Sequence, residues 1–296
     1  MHPRLTALVV MIAIARTVGV GYALLRYKTM RTFRRWASEG AEVSTSVSVE
    51  GLECTRVTVQ LPSNSFGVDE VTLLEASADT QEVLVDKALD LDASGAEGDP
   101  YGVVSWPASR TVASRLLQFD ASELRNWTVL ELGSGTGLVS LTAALAGAPR
   151  VIASDFNPFA LKMLEAAAQL QRTRIPHGVL STLVFDITDS SKPLPPADLL
   201  LIADLLYSPV TGEAVARRIH EAVKRGTRVV IADSPLRPGR PRMLEVLSQL
   251  LGKDVQFRVV PGVAVGGVAR HELISAPSSQ SQPSFSSSLD MALLEL

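Results

Sequence analysis

One stretch limits the fold more than any other. Thr128, Val129, Leu130, Glu131 and Leu132 make a short apolar run with a single acid, and Gly133-Ser134-Gly135-Thr136-Gly137 follows directly. Residues 138–146 then read as a helix rich in Leu and Ala. A buried strand that turns through three glycines into a helix is the opening unit of a layered α/β domain. The rest repeats the pattern: strands at 151–155, 181–185, 198–201 and beyond, and 228–232, with helices at 159–172 and 212–224. Continuous apolar strands alternating with helices predict a doubly wound, mostly parallel sheet covered on both faces. Residues 255–260 and 270–275, joined by a Gly- and Val-rich turn, predict an antiparallel pair at its edge.

Upstream, Val47, Val49 and Leu52, then Val57, Val59 and Leu61, alternate with polar residues around Glu50-Gly51, which predicts a β-hairpin over 43–61. Residues 90–100 read as an acidic loop, and a helix over 108–119 carries Val112, Leu116 and Leu117 on one face. The chain divides into a basic apolar segment (1–38), a hairpin and linker (39–100), the α/β domain (101–276) and a Ser-rich tail (277–296) expected to be disordered.

The first 38 residues contain no acid but several arginines, and residues 5–25 are about long enough to span a bilayer. Arg16 in the middle costs ~2.5–3.5 kcal/mol on insertion scales, which the surrounding Leu, Ile, Val and Met offset. A single-pass anchor and an organelle presequence both fit, so the chain is expected at a membrane or in the mitochondrion, with the cytoplasm as fallback.

Composition narrows the chemistry. A formal charge of −3 over 296 residues leaves no electrostatic footprint for nucleic acid. Cys54 is the only cysteine, and His2, His177, His220 and His271 have no ligand spacing, so no metal is expected. An organic cofactor or carboxylates must carry the reaction.

Three cofactor classes use a glycine turn of this kind. A Walker loop needs Gly-Lys-Ser/Thr, and no lysine occurs here. A dinucleotide site needs G-x-G-x-x-G, but the third glycine arrives one residue early and Leu138 stands in its place. The spacing E-x-G-x-G-x-G matches the S-adenosylmethionine loop. Glu131 suits a cofactor with a sulfonium and an ammonium, and would repel a pyrophosphate. Asp155, ending the second strand, is placed to accept hydrogen bonds from ribose hydroxyls. Asp186, after the third strand, can meet an adenine amino group or serve only as a turn residue.

At Glu131-Leu132-Gly133-Ser134-Gly135-Thr136-Gly137-Leu138, with Asp204-Leu205-Leu206-Tyr207 after the fourth strand, the chain resembles the seven-strand protein-lysine methyltransferases of methyltransferase family 16. The likeness is closest to the electron-transfer-flavoprotein β-subunit type. Residues 99–107, the glycine loop and residues 230–238 carry it, over about 99–245. It implies a Rossmann-like, seven-stranded class I methyltransferase domain. It further implies that Trp106 packs near the cofactor, that Gly133, Ser134, Gly135 and Gly137 line its methionine end, and that Asp155 holds the ribose. Ala203 would contact the cofactor through its backbone, and Asp204 and Tyr207 would flank the target amine of a protein lysine. The chain departs from the group at Ile187, where a tryptophan is usual, and at Ala108-Ser109, where the group has two glycines. A small-molecule N- or O-methyltransferase stays open, since fold does not set the acceptor. An NAD-dependent oxidoreductase would need a Tyr-x-x-x-Lys pair, and Thr211 stands four residues after Tyr207.

Overall fold

The computed structural model describes residues 42–90, 101–260 and 291–296. Its centre is a sheet of seven strands: β4 (Thr128–Leu132), β5 (Arg150–Asp155), β6 (Leu180–Val184), β7 (Leu199–Ala203), β8 (Arg228–Asp233), β9 (Arg258–Val260) and β10 (Met291–Glu295). Their order across the sheet is β6-β5-β4-β7-β8-β10-β9. The first five in that order run parallel, and β10 lies antiparallel between β8 and β9. The order reverses at β4 and β7, so a crevice opens beyond their carboxyl ends.

Alternation along each strand sorts side chains to two faces. Val129, Val151, Leu199, Leu201 and Val230 pack with α2 (Pro107–Leu116), α4 (Leu138–Leu145) and α5 (Pro158–Leu170). Leu130, Leu132, Ile152, Leu200, Ile202 and Ile231 pack with α6 (Pro209–Lys224) and α7 (Arg240–Leu251). A single-turn helix, α3 (Ala121–Leu124), precedes β4.

The predicted hairpin is present as β1 (Glu42–Val49) and β2 (Leu52–Gln60), turning at Glu50 and Gly51, both with positive φ. That pairing of angles matches the twist of the flanking strands. A third strand, β3 (Glu70–Ala76), extends the hairpin to a three-stranded antiparallel sheet, and α1 (Ala78–Asp90) follows. Leu73 and Leu74 are both fully buried, which breaks the alternation by which a strand is read. The Gln171 side chain accepts from Thr72 N and donates to Thr72 O, at 3.1 and 3.0 Å, docking β3 to the end of α5. The far end of β3 holds a strap over residues 101–106: Ala76 N donates to Val103 O (2.9 Å), and Ser105 N to the Glu75 carboxylate (3.0 Å).

At the carboxyl end β9 pairs with β10, and the expected partner 270–275 lies outside the described residues; one sequence expectation changes. The tail at 277–296 is not disordered throughout, because residues 291–295 form an interior strand with Met291, Ala292, Leu293 and Leu294 buried. Five residues behind a Ser-rich tract carry too little pattern to be read as a strand, but the open edge of β8 gives them a full hydrogen-bonding partner. Residues 5–25 also lie outside the described residues, and among those described no helix is long and apolar enough to cross a membrane.

Candidate active site

The glycine turn is built as the sequence implies. Gly133, Gly135 and Gly137 all have positive φ, and Ser134 N donates to Ser154 O at 2.9 Å, tying the turn to β5. Gly137 is the N-cap of α4, and a Cβ there would lie 2.4 Å from Leu164 Cγ, so only glycine lets α5 approach. At Gly135 the constraint comes from above. A Cβ would sit 3.1 Å from the carbonyl oxygen of Gly102, in the strap that β3 holds.

Asp155 closes the turn from the second strand. One carboxylate oxygen accepts from Gly135 N (2.8 Å) and the other from Asn157 N (2.9 Å), and the side chain is buried. Asn157 in turn caps α5 through Phe159 N and Ala160 N. Thus Gly133, Ser134, Gly135, Gly137 and Asp155 are brought together under the strap. The Ser134 hydroxyl oxygen is buried there with no protein partner. Buried polar atoms of this kind ask for a ligand or water.

The Glu131 carboxylate is buried, 2% exposed, and engaged by α4. Alternation puts it on the face of Val129, toward α4, and its carboxylate accepts from the backbone and hydroxyl of Ser140. It therefore caps the first turn of a helix whose own N-cap, Gly137, has no side chain to do so. Burial raises its pKa from 4.5 to about 8 against the pull of those Ser140 bonds. Asp186 is exposed after β6, accepting from the backbone and hydroxyl of Thr188 in a side-chain turn. Of its two sequence readings, the turn residue is the one its hydrogen bonds describe.

The second half of the site lies at the ends of β7 and β8. Ala203 pairs with Ala232 in the sheet, and Asp204 follows with φ 56, a left-handed conformation that aspartate tolerates better than most residues. Its carboxylate is 1% exposed. One oxygen accepts from Ala108 N (2.9 Å) and Ser234 Oγ (2.8 Å), the other from Ser234 N (2.8 Å) and Arg237 Nε (3.1 Å). The resemblance has Asp204 flanking a target amine; in this chain its carboxylate is filled by these four donors, so that it caps α2 and holds the loop after β8. Trp106, the N-cap of α2, donates its indole N–H to Tyr101 O (2.9 Å) and lies under the Arg237 guanidinium, 4.7 Å from the ring centroid. Tyr207 is half-buried in the turn that leads from Asp204 into α6.

Asp233, Arg237 and Arg240 carry no role in the sequence, although residues 230–238 are among the stretches that carry the family likeness. Asp233 ends β8 fully buried, and its Oδ2 accepts from Arg240 Nε and Nη2 at 3.0 and 2.9 Å. Burial and then the neighbouring Asp204 charge raise its pKa from 3.8 to about 7. A buried Asp followed by two arginines was the available signal, since a charge at a strand end must find a counter-charge.

Comparison with known proteins decides what this arrangement belongs to. A family model described as "Lysine methyltransferase" matches residues 85–247, more than half of the chain. The chain belongs to the lysine methyltransferase family. Methyltransferases of this family take S-adenosylmethionine as cofactor, and the seven-stranded order with antiparallel β10 is their class I fold. The human electron transfer flavoprotein β-subunit lysine methyltransferase is 30% identical over 149 residues, covering 49% of this chain and 51% of that protein. A mouse protein named histone-arginine methyltransferase METTL23 is 28% identical over 130 residues, covering 44% and 51%. The solved magnesium protoporphyrin IX methyltransferase of Synechocystis PCC 6803, described with bound SAM, aligns at TM-score 0.39 and 19% identity over 66% of this chain and 79% of its own. The chain spans about half the length of the curated relatives it matches.

Proposed function

We propose that this lysine methyltransferase family member transfers a methyl group from S-adenosylmethionine to the ε-amine of a lysine presented by a protein. The observation that carries the reading is the buried turn in which Gly135 N is fixed by Asp155 and the Ser134 hydroxyl lacks a protein partner. The Gly133–Gly135 backbone, Ser134 and Asp155 would hold the cofactor, under Gly102 and beside Trp106. When bound, S-adenosylmethionine supplies a methyl on a sulfonium, which is already a good leaving group. The chain's own contribution is then alignment and desolvation. Holding an amine in line can contribute ~7–11 kcal/mol. Ala203 ends the strand beside that site, and Asp204 and Tyr207 shape the acceptor mouth from the turn that follows.

Titration calorimetry with S-adenosylhomocysteine and with NAD tests the cofactor: binding of NAD alone would sink the reading in favour of an oxidoreductase. Labelled S-adenosylmethionine in a lysate tests the acceptor, since label in small-molecule extract rather than protein would replace lysine by a metabolite. We further propose that residues 1–38 anchor or target the enzyme, on the strength of their acid-free, arginine-rich composition. A diffuse signal from residues 1–40 fused to a fluorescent protein would remove that part.

A further inference from the structure

The family match begins at residue 85, so the three strands β1, β2 and β3 lie wholly outside it. Their sheet nonetheless reaches the glycine turn. Its last strand, β3, is held at both ends. Near its start, the Gln171 side chain brackets the backbone of Thr72. At its finish, Ala76 O accepts from the buried Gln81 side chain at 2.7 Å, and Ser77 N donates to Glu53 O at 3.0 Å. Satisfied buried polar networks rigidify what they join, so β3 is a stiff arm.

The arm makes two contacts with the strap. Ala76 N donates to Val103 O, and the Glu75 carboxylate, on a residue 8% exposed, accepts from Ser105 N at 3.0 Å. Of the two, only the second depends on a side chain. Gly102, next to Val103, is wedged on its other side. Its carbonyl lies over Gly135, and a Cβ on Gly102 would sit 3.4 Å from Ala160 Cβ and 3.8 Å from Asn157 Nδ2. The height of the strap over the turn is therefore set by β3. Glu75 also has the half-buried Arg110 guanidinium of α2 within reach of its charge. A Coulomb attraction has no preferred direction, whereas a hydrogen bond to a backbone N–H fixes a position.

We propose that Glu75 is a positioning residue for cofactor binding: its carboxylate seats the strap against the glycine turn, and that seating sets the affinity for the cofactor. The proposal rests on the reading of the turn as the S-adenosylmethionine site, and adds to it a residue from outside the family match. A strap left loose would have to be ordered at the moment of binding, and the entropy lost would weaken the complex.

Two substitutions in the full-length chain separate reach from charge. Glu75→Asp keeps the charge on an arm one methylene shorter, which draws the carboxylate away from Ser105 N. Glu75→Gln keeps the reach and an accepting oxygen but loses the charge. Titration calorimetry with S-adenosylhomocysteine is expected to find Glu75→Asp about tenfold weaker than the native chain and Glu75→Gln within about threefold of it. Gln171→Ala loosens the opposite end of β3 without touching the strap, and is expected to bind more like Glu75→Gln than like Glu75→Asp. Hydrogen exchange over residues 101–106 is expected to quicken in Glu75→Asp and not in Glu75→Gln. That pattern supports the role of Glu75. Native-like affinity in Glu75→Asp overturns it, as does Glu75→Gln binding more weakly than Glu75→Asp, which would make the charge beside Arg110 the operative feature. A loss in Gln171→Ala as deep as in Glu75→Asp also overturns it, because loosening the sheet anywhere would then suffice. Failure of the native chain itself to bind S-adenosylhomocysteine defeats the methyltransferase reading first, and the role of Glu75 falls with it.

Discussion

Asp155 and Asp204 invite comparison. Each is a buried aspartate at the carboxyl end of a sheet strand, one beside the glycine turn and one in the turn that leads into α6. The carboxylate oxygens of Asp155 accept from backbone N–H groups of residues twenty before and two after it, while Asp204 gathers donors from segments 96 before and 30 and 33 after it. The first is a local device that shapes a turn. The second is a long-range knot that ties α2 to the loop after β8 and holds a guanidinium.

The largest effect follows from that difference. Asp204→Ala leaves Arg237 partly buried without its carboxylate and strips acceptors from Ala108 N and both donors of Ser234. Breaking such a pair costs ~3–5 kcal/mol. Asp204→Asn keeps the shape and the left-handed backbone but loses the charge, and is expected to fall between. Urea denaturation of both measures it, and a loss for Asp204→Ala no greater than that for Asp155→Ala would erase the distinction drawn here.

Asp155→Ala is expected to act differently. Gly135 N and Asn157 N lose their shared acceptor, at ~1–3 kcal/mol of stability. The turn loses its tether with them, so affinity for S-adenosylhomocysteine is expected to drop by about tenfold or more, equivalent to ~1.4 kcal/mol or above. Asp204→Ala, once corrected for unfolded protein, is expected to change that affinity much less. Equal losses in calorimetry would show that the two aspartates serve one site.

The same contrast explains what could be read from the sequence. Glycine loop, β4, β5 and Asp155 lie within about 30 consecutive residues, so spacing alone assembles them, and the structure has them together. The cluster at the ends of β7 and β8 draws on Trp106, Asp204 and Arg237, which only the order of those strands brings into contact. For Glu131 the sequence neighbours are the loop, but alternation along β4 turns its side chain toward Ser140, which no local spacing announces. The strand β10 escaped because it pairs with residues about 60 positions earlier, beyond any local pattern.

Both halves also hold a carboxyl group that burial makes reluctant to ionise, Glu131 at about 8 and Asp233 at about 7. A folded pKa above the unfolded one means the native chain binds more protons across that interval. The resulting stabilisation is fully present below the unfolded values of 4.5 and 3.8 and is lost as pH rises through the folded ones. Stability is therefore expected to decline from about pH 4 to about pH 8. Glu131→Gln is expected to reduce the slope across the whole decline, up to its alkaline end, leaving the contribution of Asp233. Asp233→Asn should flatten only the portion below neutrality. Urea midpoints across the range separate the two, and an unchanged slope in Glu131→Gln would mean that the buried carboxyl beneath α4 does not titrate there.

The smallest effect concerns the strap that joins the two halves. Trp106→Phe keeps an aromatic face beneath Arg237 but removes the indole N–H that binds Tyr101 O. One half-exposed hydrogen bond is worth ~0.5–1.5 kcal/mol, and the smaller ring weakens the contact with the cation by a fraction of ~0.5–1 kcal/mol. For a chain of this size that is a fall of about 2–4 °C in Tm per kcal/mol lost. Because the strap continues from Tyr101 to Gly102, whose carbonyl lies over Gly135, slackening it is expected to weaken cofactor-product binding slightly while leaving Asp204 in place. A drop in stability as large as that of Asp204→Ala would instead make Trp106 part of the long-range knot, and the strap would then belong to the cluster around Asp204 rather than bridging both.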